Sequence, residues 1–248
     1  MEKKKLVAII QAHMSSTRLP GKILKDLCGM PALYRMIERV RQSKSIDRVV
    51  VATSTLPCDD ELVALCREWG VDTFRGSDSD VLERFWGAAK AYPAENYMRL
   101  TSDCPLIDPG QIDEMVAFFF EKSYRYLSGD AKRMINGMDC EIFTAELLRE
   151  TYENATEGYE HEHVTPYMYT KQDSVGLFPV KENGAKYRLT LDTPEDYEVL
   201  KAVYEALYTP GNTFTKGDMM RFLDDHPEIL AINSEVHQKG FKEGYEEQ

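Results

Sequence analysis

Residues 6–24 read LVAIIQAHMSSTRLPGKIL, an apolar run followed at once by a loop rich in hydroxyl groups and cations. The apolar half predicts a buried strand over residues 6–12, because aliphatic side chains run through it almost without interruption. In α/β folds, ligands bind just outside the carboxyl ends of the strands, which is where the polar half lies. The stretch therefore predicts an α/β fold and the position of its ligand site.

The polar half of this stretch has the composition of a phosphate-binding loop. Arg18 and Lys22 supply cations, and Gly21 allows a ligand to approach the backbone closely. The loop is not a Walker A motif, because it lacks the earlier glycine and Ile23 stands where Ser or Thr would bind magnesium. An ordinary polar surface loop is the alternative. The hydroxyl groups belong to Ser15, Ser16 and Thr17.

Four strand patterns near the start of the chain are each followed by a helical pattern, which predicts a mostly parallel sheet covered by helices. The strands are expected over residues 6–12, 48–54, 71–76 and 96–103, and the helices are expected to begin near Pro31, Asp59, Asp80 and Asp108. Residues 124–180 lose this alternation and predict an inserted lobe. A further strand should end at Asp192, with Thr193 capping a helix that runs to about Leu207. Short helices and a charged tail should complete a single domain over residues 1–248.

Composition narrows the classes of partner. The net charge of −12 disfavours nucleic acid, and no apolar run is long enough to span a membrane. Residues 1–48 nevertheless hold 11 Lys and Arg against 4 Asp and Glu, which suggests an anion site. The alternative is that Arg35, Arg39 and Arg41 cover the solvent face of a helix. Five scattered cysteines without a CxxC pair favour the reducing cytoplasm, and the N-terminal run is expected to be a strand and not a signal peptide.

Two aspartates stand at the ends of separate strand patterns. Asp103 follows NYMRLTS, and Asp192 ends YRLTLD. Carboxylates presented from two strand ends can hold Mg²⁺ together with a triphosphate, which is how proteins usually bind this ion. Either aspartate alone could equally be a cap or turn residue.

The sequence HEH at residues 161–163 suggests a metal site, but the spacing is wrong for H-E-x-x-H, in which the two histidines lie one helical turn apart. Acceptor binding or ordinary packing is the better interpretation of His161, Glu162 and His163.

Six segments, in this order, give the chain a family resemblance: QAHMSSTRLPGKIL, VVVATS, FRGSDSDVLER, RLTSDCPLIDP, HEHVTPY and LTLDTPEDY. The chain resembles the spore coat polysaccharide biosynthesis protein F-like cytidylyltransferases, which are related to CMP-KDO and CMP-sialic acid synthetases. The resemblance implies a Rossmann-like nucleotide-diphospho-sugar transferase fold, CTP as the donor and Mg²⁺ as the required ion. It also implies transfer of CMP to a small acidic acceptor in surface polysaccharide or glycoconjugate synthesis, and a cytoplasmic homodimer by analogy with related synthetases.

The resemblance also implies roles for individual residues. Arg18, Lys22, Asp103 and Asp192 should be catalytic, and the two aspartates should hold the metal. Nucleotide binding should involve Gln11, Ala12, His13, Met14, Ser15, Ser16, Thr17, Arg18, Lys22, Thr53, Ser54, Asp80 and Arg84. Acceptor binding should involve Asp139, Glu141, His161, Glu162 and His163.

His13 departs from the family pattern, in which this position is usually arginine. A neutral imidazole supplies less charge to a phosphate than a guanidinium does. Two alternatives to a cytidylyltransferase remain, a glycosyltransferase of similar fold and a non-catalytic nucleotide-binding partner. The first is disfavoured because LTSDCP offers one aspartate where such enzymes typically carry a D-x-D pair. The second is disfavoured because Arg18, Lys22, Asp103 and Asp192 are all present.

Overall fold

The computed structural model describes residues 5–171, 173–181 and 183–237, and within these ranges seven strands form a central sheet while two short ones form a hairpin. In chain order the strands are β1 (Leu6–Gln11), β2 (Asp26–Leu27), β3 (Met30–Pro31), β4 (Arg48–Ser54), β5 (Asp72–Gly76), β6 (Asn96–Thr101), β7 (Tyr126–Gly129), β8 (Glu141–Thr144) and β9 (Val175–Phe178). The central sheet has the order β5-β4-β1-β6-β8-β7-β9, and β2 and β3 form the hairpin.

Helices cover both faces of the sheet. In chain order they are α1 (Ala32–Val40), α2 (Asp60–Glu68), α3 (Val81–Ala91), α4 (Pro109–Lys122), α5 (Ala145–Asn154), α6 (Gly158–His163), α7 (Pro166–Thr170), α8 (Pro194–Leu207), α9 (Lys216–Asp225) and α10 (Pro227–Ala231). In the described part of the chain, none of them has the length and apolar content that crossing a membrane requires. The charged tail expected after the last helices lies outside the described residues.

The first half of the sheet confirms the predicted alternation of strands and helices. Strand β1 pairs in parallel with β4 on one side and β6 on the other, and β4 pairs in parallel with β5. Successive residues of β1 point to opposite faces, so Ala8 and Ile10 pack in the cluster of α1 and α4, while Val7 and Ile9 pack in that of α3 and α5. The parallel arrangement brings the carboxyl ends of four strands to one edge of the sheet.

The second half of the sheet comes from residues 124–180, the segment expected to form an inserted lobe. Strand β8 runs antiparallel to β6 and to β7, and β9 closes the edge parallel to β7. This segment therefore extends the central sheet itself and adds α5 and α6 beside α3, with α7 packed against α5 and α6.

The strand expected to end at Asp192 does not form, and that prediction was wrong. Residues 187–191 instead run beside an irregular loop, with one isolated bridge between Asn136 and Arg188. The loop approaches so closely that a Cβ added at Gly137, whose φ is +98°, would lie 2.4 Å from the carbonyl oxygen of Leu189. The pairing partner is a turn and not a strand, so no ladder can develop. Thr193 then caps α8, as predicted.

The arginines of α1 do not cover a solvent face, so that alternative was also wrong for two of the three. Arg35 and Arg39 are only 2% and 3% exposed. Arg35 Nε donates to the Leu27 carbonyl at 2.9 Å, and Arg39 Nε donates to the Ile107 carbonyl at 2.7 Å. These side chains are buried, and their guanidinium groups are satisfied by backbone carbonyls of neighbouring segments. The basic excess near the N-terminus is therefore partly structural.

Candidate active site

The loop after β1 is held in place from both ends. The Ala12 amide donates to the Ala52 carbonyl at 3.1 Å, which continues the pairing with β4 past the end of β1. At the other end Gly21 has a φ of +66°, which favours glycine, and the short 3₁₀ turn Lys22–Leu24 follows. Leu19 and Ile23 are buried and anchor this turn. The hydroxyl and cationic side chains of the loop are therefore presented at the carboxyl edge of the sheet.

Lys22 lies between the two predicted aspartates. Its Nζ is 3.2 Å from Asp103 Oδ2 and 2.8 Å from Asp192 Oδ1. Arg18 contacts the same oxygen of Asp192 at 3.0 Å. The structure thus brings together Arg18, Lys22, Asp103 and Asp192, four residues expected from the sequence to act together.

Backbone hydrogen bonds hold the segments that carry the two aspartates next to each other. Asp103 follows β6, and its carbonyl accepts a hydrogen bond from the Leu191 amide at 2.8 Å and one from the Thr190 hydroxyl at 3.3 Å. Tyr187, Leu189 and Leu191 are buried against α8 and α9. Asp192 is therefore placed by the packing of the late segment and by its direct bonds to the end of β6.

Arg18, Lys22, Asp103 and Asp192 form a charged cluster, and Arg188 is a further member of it. The sequence analysis did not identify Arg188. It donates to Asp192 Oδ2 at 3.1 Å and forms two bonds to Asp196, at 2.8 and 3.0 Å. Burial disfavours the charged guanidinium, but Asp196 and Asp192 outweigh it and raise the pKa of Arg188. Its spacing from these acids could have suggested a helical pair, but Arg188 is not in a helix, so no local pattern identifies it correctly.

The charges within the cluster stabilise one another. Burial disfavours the charged form of Lys22, but Asp103 and Asp192 outweigh this and raise the pKa of Lys22. Burial likewise opposes ionisation of Asp103, but Lys22 and hydrogen bonds from neighbouring side chains lower the pKa of Asp103. Both groups are therefore charged at neutral pH.

The two carboxylates have the geometry of a partial site for a hard cation. Both lie within 3.2 Å of one ammonium nitrogen, so their oxygens converge on a single point. Within residues 5–171, 173–181 and 183–237 no group of three or more His, Cys, Asp or Glu side chains is arranged to hold a metal. Mg²⁺ is commonly held by one or two protein carboxylates and completed by phosphate oxygens and water. Asp103 and Asp192 fit that pattern.

A cavity of about 450 Å³ lies between the loop after β1, residues 78–84 and α6. Four predicted nucleotide-binding residues line this cavity, namely Gln11, His13, Ser15 and Arg84. Two predicted acceptor-binding residues, Glu162 and His163, also line it. The remaining lining residues are Asp78, Ser79 and Val81. His13 Nδ1 lies 2.8 Å from Ser15 Oγ. Burial and the nearby Arg84 lower the pKa of His13, which keeps the imidazole neutral at pH 7.

Thr53 and Ser54 are fully buried at the end of β4 and contact Asp59, which the sequence analysis named only as the start of a helix. Asp59 accepts hydrogen bonds from Thr53 Oγ1 at 2.9 Å, from the Ser54 amide at 3.1 Å and from the Met14 amide at 2.8 Å. Burial opposes its charge, but these bonds outweigh it and lower the pKa of Asp59. Asp59 therefore ties the loop after β1 to β4.

The remaining predicted nucleotide residues differ in exposure. Ala12 is buried, Met14 and Ser16 are half-buried, and Thr17 is exposed. Asp80 caps α3 by accepting from the Glu83 amide at 2.8 Å, and its other oxygen lies 2.8 Å from His161 Nδ1. The pair joins α3 to α6 and does not line the cavity.

The two predicted acceptor acids behave differently. Glu141 accepts from Arg99 and from Tyr126, each at 2.5 Å, and from Thr165 at 2.7 Å, so its carboxylate is already engaged. Asp139 is exposed to solvent. Burial by the surrounding protein, with the charges of Glu141 and Asp103, nevertheless raises the pKa of Asp139 to about 6. Neither residue lines the cavity.

Sequence comparisons give matches across most of the chain. A family model described as cytidylyltransferase matches residues 7–220. The spore coat polysaccharide biosynthesis protein SpsF of Bacillus subtilis is 38% identical over 214 residues, 81% of this chain and 86% of that protein. A 3-deoxy-manno-octulosonate cytidylyltransferase of Geobacter sulfurreducens is 34% identical over 114 residues, which cover 45% of this chain and 44% of that protein.

Solved structures share the fold. A cytidylyltransferase from Leptospira borgpetersenii superposes with a TM-score of 0.86 at 36% identity and covers 96% of this chain and 100% of that one. A CMP:2-keto-3-deoxy-manno-octonic acid synthetase complexed with CTP superposes with a TM-score of 0.64 at 18% identity, covering 81% of this chain and 98% of that one. At that identity the second match supports the α/β fold alone.

Proposed function

This chain belongs to the cytidylyltransferase family, and from that membership we propose that it is a CTP-dependent enzyme that transfers CMP to an acidic sugar or a related acidic acceptor and releases pyrophosphate. The relatives named above act in spore coat polysaccharide biosynthesis and on 3-deoxy-manno-octulosonate. They support an acceptor used to build surface polysaccharides or glycoconjugates.

The observation that carries the proposal is the position of Lys22 between Asp103 and Asp192, with Arg18 on the same aspartate oxygen. Cations suited to phosphate and acids suited to a metal ion meet at one point on the carboxyl edge of the sheet. A structural ion pair would need only one acid for each cation. A triphosphate with its metal needs both kinds of charge within a few ångströms of each other.

Asp103 and Asp192 would hold Mg²⁺, which when bound neutralises triphosphate charge and polarises the α-phosphate. Lys22 would exchange its carboxylate contacts for phosphate oxygens of the donor. Arg18, whose side chain is 34% exposed, can turn from Asp192 to the same phosphates at little cost. Both cations then lie where negative charge develops on the leaving group.

In the proposed reaction an oxygen of the acceptor attacks the α-phosphorus of CTP in line with the leaving group. A new oxygen–phosphorus bond forms, the bond from the α-phosphorus to the bridging oxygen breaks, and pyrophosphate leaves with the bonding electrons. A hydroxyl acceptor gives its proton to solvent. The protein's contribution is to position the reactants and to stabilise the charge on pyrophosphate.

A screen for pyrophosphate release tests the proposal. The wild-type chain would be incubated with Mg²⁺, each of the four nucleoside triphosphates in turn, and a panel of acidic acceptors that includes 3-deoxy-manno-octulosonate. We expect release with CTP and one class of acidic acceptor only. If no combination of triphosphate and acceptor releases pyrophosphate while CTP still binds, a nucleotide-binding partner would be favoured instead. Consumption of a finished nucleotide sugar would favour a glycosyltransferase.

A further inference from the structure

The side-chain amide of Gln11 has a fixed orientation. Its Oε1 accepts a hydrogen bond from Arg99 Nε at 2.9 Å. A guanidinium group can donate but cannot accept, so the oxygen of the amide, and not its nitrogen, must face Arg99. The two N–H groups of Gln11 therefore point away from Arg99.

Arg99 is itself held rigidly. It lies opposite Glu141 in the pairing of β6 with β8, and its NH1 donates to Glu141 Oε2 at 2.5 Å. The other oxygen of Glu141 accepts from Tyr126 and Thr165. A turn of the Gln11 amide would place N–H groups against N–H groups and disrupt this whole network, which strongly disfavours it.

One donor group on the cavity wall has no acceptor among the described residues. Gln11 lines the cavity, and its Nε2 forms no hydrogen bond to any residue within 5–171, 173–181 or 183–237. Arg84 lines the same cavity, but its Nε is shielded from solvent, so that nitrogen does not face the cavity. The N–H groups of Gln11 are therefore available to a ligand that brings an acceptor oxygen.

We propose that Arg99 and Glu141 position Gln11 so that its amide N–H groups bind an oxygen of the nucleoside part of CTP, in the base or the ribose. This inference rests on the proposed function, because it takes CTP as the ligand. The nucleoside is favoured over the acceptor because seven of the nine lining residues come from β1, the loop after it and residues 78–84, and only Glu162 and His163 come from α6. Gln11 thereby selects for an oxygen acceptor at this point of the nucleoside.

Calorimetric titration with CTP and Mg²⁺ tests the proposal on three single variants. Gln11→Glu keeps the size and the acceptor for Arg99 but replaces the donors, and Gln11→Met removes the polar group. Gln42→Glu is the matched control, because Gln42 is exposed and its side chain bonds only to Thr213 among described residues. We expect Kd for CTP to rise about tenfold in Gln11→Glu, a few-fold in Gln11→Met, and not in the control.

Repeating the titration with 2′-deoxy-CTP separates the two sources of oxygen. If the bond goes to the ribose 2′-hydroxyl, Gln11→Met and wild type should bind the deoxynucleotide with equal affinity. If it goes to the base or another ribose oxygen, the difference between them should persist. Both results support the proposal, and equal binding of CTP itself by Gln11→Met and wild type would overturn it.

The positioning role of Glu141 has its own readout. Glu141→Gln should weaken CTP binding through Gln11, so its effect should largely disappear in a Gln11→Met background. A purely structural role would weaken binding by the same factor in both backgrounds, which would overturn the positioning part. If the wild-type chain fails to bind CTP at all, the proposed function fails, and this is seen before any variant is made.

Discussion

Lys22 Nζ donates to Asp192 Oδ1 at 2.8 Å, across 170 residues of sequence. The same ammonium reaches Asp103 Oδ2 at 3.2 Å, so it occupies the point where a divalent cation would be expected to meet both carboxylates. Without nucleotide, Lys22 and the proposed metal would therefore compete for the same oxygens. With nucleotide, the phosphates would offer Lys22 other partners and remove the competition.

Removing the ammonium should expose this competition. Lys22→Met leaves two acids without their shared cation, so about 10 mM Mg²⁺ alone should raise the melting temperature of the variant by a few degrees more than that of wild type. Thermal unfolding with and without Mg²⁺ measures this. Lys186→Met, which removes a surface pair with Asp224, is the control. Equal shifts in Lys22→Met and wild type would argue against a shared site.

Removing either carboxylate should impair catalysis. Asp103→Asn and Asp192→Asn should each lower pyrophosphate release by about 10²-fold or more, because each removes an electrostatic contact to the reacting centre. Asp72→Asn, on the exposed surface of β5, should retain wild-type turnover and serves as the control. Near-normal turnover in either site variant would exclude that aspartate from the mechanism.

Removing the charge of Asp59 should loosen the loop after β1. In Asp59→Asn the new NH₂ group must face either the Met14 amide or the Thr53 and Ser54 donors, so the free energy of unfolding should fall by about 3 kcal/mol and KM for CTP should rise. The pKa of Asp59 is lowered from 3.8, so the stability it supplies is present above pH 3.8 and is lost as pH falls through its folded value. Urea unfolding should therefore show a smaller acid loss in the variant than in wild type. An equal loss of unfolding free energy at acid pH in the variant and in wild type would contradict this account.

Asp139 should give the opposite pH dependence. Its pKa is raised from 3.8 to about 6, so its contribution to stability is fully present below pH 3.8 and is lost as pH rises through about 6. The free energy of unfolding of Asp139→Asn, relative to that of wild type, should therefore be higher at pH 8 than at pH 4. The change should be modest because the side chain is exposed. Melting temperatures across this range measure it. Parallel curves for the two proteins would show that Asp139 is not perturbed.

The structural features that the sequence predicted correctly are those that depend on local pattern. Strand β4 was expected over the residues it occupies, and β1 and β6 were placed within two residues, because continuous apolar runs bounded by polar loops have few other solutions. The position of Asp103 at the carboxyl edge followed from β6. The Mg²⁺ and the homodimer stay predictions.

The rest depends on tertiary contacts that no local pattern carries. The segment before Asp192 reads as a strand, yet its neighbour is a turn around Gly137, so it forms a single bridge. One interpretation of the sequence placed Arg35 and Arg39 on a solvent face. Instead, Arg35 donates to a backbone carbonyl 8 residues earlier in the chain, and Arg39 donates to one 68 residues later. Glu141 was expected to face the acceptor, and only the pairing of β6 with β8 reveals Arg99 as its partner.

The central sheet is complete at Phe178, whereas Asp192 lies beyond it. During synthesis, every strand of that sheet can leave the ribosome before the second carboxylate does. A nascent chain can thus hold a formed sheet and the Lys22–Asp103 contact while still lacking the residue that completes the charged cluster. On the proposed mechanism, the chain would become competent for chemistry only after the late segment docks onto the end of β6.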